Sequence, residues 1–270
     1  MSCCEDKPRA ANRTVAVKER VAVRVGDKVW ESESSTPTED FYGELYGEIT
    51  GQPNVLLGYL GEIEVRDAGG GVGCRIAPTY TRVAFDTIQG TGSCTWGSDY
   101  NPRQIWIRRA PYPGYDIWYF TTDLPAGVTA SRGQTVSITW QAKFGLGVVS
   151  ATGWLSGAGV YPAGIIDQII NILLNNRGNL SLKAQRVVVK GRSGTNYDYT
   201  FIDTAPTLDY KMLRIILPLT PVPADGEVYR VYVYSRTADG ADRELWILEL
   251  PTPLTVRRDD SLGFELKLVW

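Results

Sequence analysis

The sequence predicts a mainly β protein made of two tandem homologous domains. Each domain is expected to be an antiparallel β-sandwich with a helix packed on one side. Three observations lead to this fold class: segments of alternating apolar and polar residues, glycine-containing turns between them, and an internal match between 101–144 and 227–270. At 270 residues, with 43% hydrophobic and 21% charged residues, the chain is long enough to bury two cores.

The internal match depends on pattern more than on identity. Ile105 and Ile107 align with Val231 and Val233, so the alternating apolar positions of the two segments coincide. Such alternation is typical of a half-buried strand. The identical pairs are Gly114/Gly240, Asp116/Asp242, Leu124/Leu250, Pro125/Pro251, Thr129/Thr255 and Arg132/Arg258. An Ala-Pro-Thr segment also occurs in both halves, at 77–79 and at 205–207.

The first half of the sequence predicts a polar arm followed by a helix and strands. Residues 1–19 have the composition of a disordered arm, and 20–147 form the first predicted domain. Pro37 and two acidic residues in "TPTEDFYGELYGEI" predict a helix start. Downstream, "EIEVRDAGGG" predicts a strand that enters a glycine loop, "APYPGYD" a hairpin turn, and 134–144 a buried closing strand.

The second half repeats this order over 148–270. In "PAGIIDQIINILLNN" the apolar residues share one face, which predicts a helix. A strand in "RVVVKGRSG", a hairpin turn in "RTADGAD" and a closing strand at 260–270 follow. We place the domain boundary in 144–164, where glycine, alanine and serine are frequent and the periodicity fades.

The composition excludes several classes of function. The chain has no histidine, which removes Ser-His and Cys-His nucleophile pairs and most catalytic zinc sites. The acid pairs Glu39/Asp40, Asp239/Asp242 and Asp259/Asp260 fit cap, turn and strand-entry positions better than paired-acid catalysis. We therefore expect no enzyme activity, no cofactor and no metal.

Charge and hydropathy argue against two further kinds of partner. The 28 basic and 30 acidic residues give a net charge of −2 without a basic run, so we expect no nucleic-acid partner. The apolar stretches are shorter than the roughly 20 residues that span a bilayer, so we expect no membrane partner. The N-terminus also lacks the apolar region of a secretory signal.

Glycines and cysteines each suggest a site that the surrounding sequence does not support. "DAGGGVG" at 67–73 lacks the Lys-Ser/Thr that follows a phosphate loop, so it predicts an exposed strand connection. No Cys-x-x-C pair occurs, which disfavours zinc. The sequence is compatible with two states of these cysteines, free thiols or a Cys74–Cys94 disulfide.

The segment 94–120 is rich in aromatic residues interleaved with arginine, which suits sugar stacking, peptide capture or a subunit contact. Trp106, Trp118 and Phe120 fall in predicted strands, where core or sheet-face packing explains them. The residues that fall in loops or turns are predicted to be surface contacts with a subunit or ligand: Trp96, Tyr100, Tyr112 and Tyr115.

The order of segments in 160–270 resembles the small β-rich modules of tailed-bacteriophage tail, tail-fibre and collar proteins. The resemblance lies in "KGRSGTNYDYTFIDTAPTL" and in "TADGADRELWILELPTPLTVRRDDSLGFELKLVW". It extends to 40–144 only through the internal match, and Tyr197, Tyr199, Phe201 and Ile202 depart from the Gly/Thr-rich turn of those modules.

The resemblance implies a multi-copy structural protein of the tail, neck or collar, made in the host cytoplasm and carried in the virion. Its partners would be copies of itself and other virion proteins of the tail tube, portal or neck, or fibre. The alternative is a carbohydrate- or receptor-binding module of a virion, which the loop aromatic residues favour.

Overall fold

The computed structural model describes residues 15–34, 37–50, 56–110, 117–146, 149–152, 159–161, 164–182, 184–191, 196–200, 204–206, 212–221, 225–236 and 240–269. It is mainly β with antiparallel sheets, which confirms the predicted class. The chain forms two compact units. Val17–Gly145 with Ile166–Leu182 make the N-terminal unit, and Met1–Ala16, Leu146–Ile165 and Lys183–Trp270 make the C-terminal unit.

The N-terminal unit contains two sheets, with strand orders β2-β1-β9-β6-β5 and β4-β3-β7-β8. Its elements are β1 Val15–Val25, β2 Lys28–Ser34, α1 Glu39–Thr50, β3 Tyr59–Asp67, β4 Val72–Ile76, β5 Thr79–Ala84, β6 Thr87–Thr95, β7 Pro102–Ala110, β8 Trp118–Asp123 and β9 Thr135–Leu146. The predicted hairpin between β7 and β8 and the closing strand β9 are confirmed.

The first strand begins at Val15, inside the segment 1–19 for which we predicted a polar arm. That boundary was wrong because exposed charged residues on β1 alternate with residues that face the core, and one of the buried residues, Glu19, is itself charged. Val17 is buried while Lys18 is exposed, as in any strand with one face on the core. An overall polar composition therefore hid a strand.

Helix α1 forms although Gly43 and Gly47 lie inside it. The hydroxyl of Thr38 accepts a hydrogen bond from the backbone N–H of Phe41 at 3.3 Å, which caps the N-terminus. The Phe41 ring is fully buried and lies 5.2 Å from the Phe120 ring, which lies 5.0 Å from that of Trp140 on β9. Burial of this apolar face compensates for the poor helix propensity of the glycines.

The C-terminal unit also contains two sheets, with strand orders β10-β18-β15-β14 and β11-β17-β16-β12-β13. Its strands are β10 Val149–Thr152, β11 Gly159–Tyr161, β12 Ala184–Gly191, β13 Asn196–Thr200, β14 Thr204–Pro206, β15 Met212–Pro221, β16 Gly226–Arg236, β17 Asp242–Val256 and β18 Ser261–Val269. The predicted β16–β17 hairpin is confirmed. Strand β18 lies between β10 and β15, as expected for a closing strand tied into a sheet.

The second predicted helix is confirmed as α2, Ile165–Leu173, but its location differs from the prediction. Ile166–Leu182 belong to the N-terminal unit, so the expectation that each domain carries its own helix was wrong. Two ion pairs hold this segment there. Arg82 Nη1 lies 2.6 Å from Asp167 Oδ1, and Arg177 Nη1 lies 2.7 Å from Glu48 Oε1. Over the described part of the chain, neither helix has the length and hydropathy needed to cross a bilayer.

Candidate functional site

The glycine-rich segment 67–73 is the turn between β3 and β4, as predicted. Asp67 Oδ1 accepts hydrogen bonds from the backbone N–H groups of Gly69 and Gly71, at 2.8 and 2.9 Å, and Oδ2 accepts one from the Ser98 hydroxyl. The Ser98 bond, with added help from the backbone amides, outweighs desolvation and holds the pKa of Asp67 below its ordinary value. An ionised Asp67 therefore ties this turn to the loop that begins after β6.

Trp96 is fully buried, so its prediction as a surface contact was wrong. Its ring occupies space left by a glycine, because a Cβ on Gly73 would lie 2.1 Å from the indole. The indole Nε1–H donates to the backbone carbonyl of Tyr100 at 3.0 Å. A loop position did not mean exposure here. Trp96 instead holds the loop 97–101 against the N-terminal unit.

The other three predicted contact residues have different outcomes. Tyr100 is 63% exposed, in keeping with a surface position, and its contact role stays a prediction. Tyr112 and Tyr115 lie outside the described residues, and their contact role also stays a prediction. Of these three residues, Tyr100 is therefore the one that the structure places on an exposed surface.

The strand aromatic residues divide between the core and the outer face of the sheet. Phe120 is buried. Trp106 and Trp118 are partly exposed and form an edge-to-face pair at 5.3 Å. The guanidinium carbon of Arg66 lies 3.7 Å from the Trp106 ring centroid, which is a cation–π contact. The two tryptophan rings on this face therefore already have partners within the chain.

A cleft of about 370 Å³ opens in the N-terminal unit, and Asn101, which follows Tyr100 in the sequence, is one of its lining residues. It lies between the β1–β2 turn, the loop before β7 and the loop before β9. The lining residues are Val25, Asp27, Lys28, Trp30, Asn101, Thr129, Ala130, Ser131 and Gln134. We call this the end-loop cleft. Its volume falls within the range of about 300–1,000 Å³ that is usual for small-molecule sites.

The polar groups of the end-loop cleft are largely uncommitted. Gln134 Oε1 accepts a hydrogen bond from the Ser131 backbone N–H at 2.7 Å, which leaves the side-chain NH₂ available. Asn101 accepts a bond from the Ala68 N–H at 3.0 Å through its backbone carbonyl. Within the described residues, the side chains of Asn101, Asp27 and Lys28 have no hydrogen-bond or ion-pair partner. The cleft therefore presents amide, carboxylate and ammonium groups to a ligand.

Sequence reasoning missed every residue of this cleft. Trp30 was the available signal, because it follows the polar turn "VGDK" at the end of a strand pair. Aromatic residues are most frequent in 94–120, and that is where the sequence predicted the contact residues. Trp30 lies on β2, whereas Asn101 and Gln134 lie in two loops that are distant in sequence from it and from each other, so their convergence depends on the tertiary fold.

The acid pairs occupy the structural positions expected for them where the structure describes them. Glu39 and Asp40 lie in the first turn of α1. Asp260 Oδ2 accepts a hydrogen bond from the Arg257 backbone N–H at 2.7 Å, in the β17–β18 turn after Asp259. Asp239 lies outside the described residues. Among the described residues, no group of three or more His, Cys, Asp or Glu side chains is placed to hold a metal ion.

Of the two possibilities left open for the cysteines, the structure contains the bridge. Cys74 on β4 and Cys94 on β6 form a disulfide with a Cα–Cα distance of 6.0 Å. The bond joins one strand from each sheet of the N-terminal unit. It lies next to Gly73 and close in sequence to Trp96, and so adds a covalent link to the base of the 97–101 loop.

Comparisons of the chain with family models, with curated proteins and with solved structures found no match.

Proposed function

We propose that this chain is a structural protein of a tailed-phage virion, from the tail, neck or collar, which acts through multi-copy subunit contacts. The resemblance over 160–270 and the internal match between 101–144 and 227–270, which we attribute to a duplication, support this proposal. Copies of the chain and neighbouring virion proteins would be its partners, and assembly would be its function.

Strand order in the two units supports the duplication. In the N-terminal unit, β4-β3-β7-β8 form one sheet and β5-β6-β9-β1 part of the other. In the C-terminal unit, β13-β12-β16-β17 and β14-β15-β18-β10 follow the same order. Eight strands of each unit therefore occupy corresponding places in the two sheets, whereas β2 and β11 do not, because β2 pairs with β1 and β11 pairs with β17.

Strand register is the observation that carries the proposal. Trp106 pairs with Thr121, and Ile107 with Phe120. At the positions aligned with these four residues, Tyr232 pairs with Ile247, and Val233 with Trp246. A slip of one residue would turn every side chain to the opposite face, so equal registers in two hairpins of such different sequence favour a common origin.

A duplicated chain offers two similar faces, which suits a component that occupies two equivalent positions in a ring or joins partners of different symmetry. Tyr100 is an exposed aromatic residue suited to such a contact. Phe85 is equally exposed, at 63%, but the guanidinium carbon of Arg82 lies 5.1 Å from its ring centroid. The two residues therefore form a matched test and control.

The test is native mass spectrometry of the purified full chain over a range of concentrations, together with mass spectrometry of purified virions of the phage that encodes it. We expect oligomers, which Tyr100→Ala weakens and Phe85→Ala does not. We also expect the chain in the virion. A protein that stays monomeric at every concentration and is missing from the particles would contradict the proposal.

The paired substitution of Tyr112 and Tyr115 by alanine tests the two contact residues outside the described part of the chain. Two buried tyrosines are worth on the order of 2–4 kcal/mol of contact energy before ordering costs. We expect weaker oligomers with the thermal unfolding midpoint of the isolated subunit nearly unchanged. Unchanged assembly, or a collapsed fold, would show that these tyrosines are not contact residues.

A further inference from the structure

We propose that the end-loop cleft binds a neutral hexose residue of a glycan. This inference concerns a ligand site within one unit and does not depend on assembly or on a virion location. It rests on the shape of the cleft, on its uncommitted polar groups and on the rigidity of the loops that carry them.

Trp30 supplies the apolar surface that a sugar ring requires. It lines the cleft and is only partly buried. A hexose has one face of C–H groups and a rim of hydroxyls, so it packs on an indole while its rim stays free to form hydrogen bonds. Tryptophan, with a large apolar body and a polar N–H, suits such an amphipathic ligand.

The polar side chains of the cleft provide hydrogen-bond donors and acceptors for the hydroxyl groups of a sugar. Asn101 and Gln134 provide amides, Ser131 a hydroxyl and Asp27 a carboxylate. Each can hold a sugar hydroxyl, because a hydroxyl both donates and accepts. Asp27 and Lys28 contribute one charge of each sign, so the net charge of the lining side chains is zero and the lining has no excess charge to select an anionic or a cationic ligand.

The cleft is preorganised, which reduces the entropy lost on binding. The backbone N–H of Trp96 donates to the backbone carbonyl of Gln134, and the backbone N–H of Gly133 donates to the backbone carbonyl of Trp96, both at 2.8 Å. The Asn101 carbonyl accepts the Ala68 N–H at 3.0 Å, next to the Asp67 turn. Asn101 and Gln134 are thus carried by backbone that is fixed before a ligand arrives.

Binding without hydrolysis is the expected chemistry. A glycosidase needs two carboxyl groups about 5–10 Å apart across the scissile bond. Asp27 is the single carboxylate among the residues that line the cleft. A bound sugar would therefore be held and released unchanged.

The test begins with the full-length chain on an array of neutral glycans and on a matched array of unglycosylated peptides. Titration calorimetry and ligand-observed saturation-transfer NMR follow for methyl α-D-glucopyranoside, methyl β-D-galactopyranoside, N-acetyl-D-glucosamine and any glycan bound on the array. We expect at least one neutral glycan to bind with a Kd of about 1 mM or tighter. Saturation should be strongest on the C–H face of the sugar.

Variants place that binding in the end-loop cleft. Asn101→Ala should weaken binding about tenfold or more, since a ligand hydroxyl loses its partner. Trp30→Phe keeps a flat ring and should weaken it less than Trp30→Ala. Asn176→Ala, which removes an exposed asparagine elsewhere in the same unit, should leave the Kd unchanged.

Circular dichroism of each variant separates loss of fold from loss of binding, and Trp30→Phe and Asn101→Ala remain informative if Trp30→Ala does not fold. Three results would overturn the proposal: no neutral glycan bound, binding that Asn101→Ala and Trp30→Phe leave intact, or capture of peptides in place of glycans.

Discussion

Among the described glycines, Gly73 leaves the least room for a side chain, because the Trp96 ring lies against it. Trp96 is fully buried, and its ring fills the position where a side chain at residue 73 would lie. Glycine is needed here for space, because its φ is not in the left-handed region. The two residues together fix the base of the loop that carries Tyr100 and Asn101.

Gly73→Ala should therefore destabilise the N-terminal unit. The added methyl group would lie 2.1 Å from the indole, so either the ring or the strand must move. Overpacking of this kind lowers the free energy of unfolding by about 1–3 kcal/mol. Urea unfolding followed by tryptophan fluorescence measures the change. Gly145→Ala is the control, since a Cβ there meets no atom within 4 Å, and an equal loss in both variants would contradict the steric explanation.

Asp67 makes stability depend on pH. Its pKa lies below the ordinary value near 3.8, first because Ser98 donates a hydrogen bond and then because backbone amides do. Its stabilising effect is present above the unfolded pKa and is lost as the pH falls through the folded pKa. Ser98→Ala removes the largest cause and should raise the pKa of Asp67 toward its ordinary value.

The measurement is the free energy of unfolding at about pH 7 and about pH 2. The loss on acidification should be smaller in Ser98→Ala than in the wild type, and Ser93→Ala, an exposed serine on β6, should behave as the wild type does. If acidification lowered the free energy of unfolding by the same amount in Ser98→Ala and in the wild type, the Ser98 hydroxyl would not be the group that lowers the pKa of Asp67.

Helix α1 owes its stability to packing more than to helix propensity. Leu45 and Ile49 are fully buried, whereas Gly43 lies in the helix interior beside open space, where an added Cβ would meet no atom within 4 Å. Gly43→Ala should raise the free energy of unfolding by about 0.5–1 kcal/mol, because alanine loses less backbone entropy on folding. Thermal and urea unfolding measure the gain. A loss of stability would show that the site is less open than this geometry indicates.

The Glu48–Arg177 pair joins α1 to the segment after α2. Both terminal nitrogens of Arg177 reach Glu48, at 2.7 and 3.0 Å, and Glu48 is only 4% exposed. Arg177→Met keeps the apolar stem but leaves a buried carboxylate without its cation. We expect a loss of about 2–3 kcal/mol, below the value for a fully buried pair because Arg177 is partly exposed.

A double-mutant cycle checks that interpretation. Glu48→Met combined with Arg177→Met should cost less than Arg177→Met alone, since the carboxylate is then gone as well. Additive losses in urea unfolding would mean that the two side chains do not interact. The same pair explains why α2 belongs to the N-terminal unit although its sequence position suggested the second domain.

The disulfide links the two sheets of the N-terminal unit through β4 and β6. Cys74 and Cys94 are separated by 20 residues in the sequence. Removing a bridge that closes a loop of this size lowers the free energy of unfolding by about 3 kcal/mol, because the unfolded chain gains conformational entropy. The variant with both cysteines changed to serine should lose about that much stability, measured by urea unfolding without reductant. Dithiothreitol should destabilise the wild type but not this variant, and equal sensitivity of both would argue against the bridge.

Much of the secondary structure could be predicted because strand and helix periods are local properties. Val136, Ile138 and Trp140 alternate along β9 and are buried, as the pattern indicated. The β7–β8 and β16–β17 hairpins also follow from their turn residues. The predicted boundary of the arm was wrong because β1 carries Lys18 and Arg20 on its solvent face and the hydrogen-bonded Glu19 on its buried face, so composition alone suggested disorder.

The sequence by itself determined the mainly β class, both helices, the hairpins and the two closing strands, because each of these follows from a periodicity or a turn over a few consecutive residues. Only the tertiary structure decided that Trp96 is buried, that α2 packs with the N-terminal unit and that Trp30 meets Asn101 and Gln134 in one cleft. The physical reason is that burial and convergence depend on residues far apart in the chain. Gly73 makes room for Trp96, Glu48 pairs with Arg177, and no local pattern encodes either partnership.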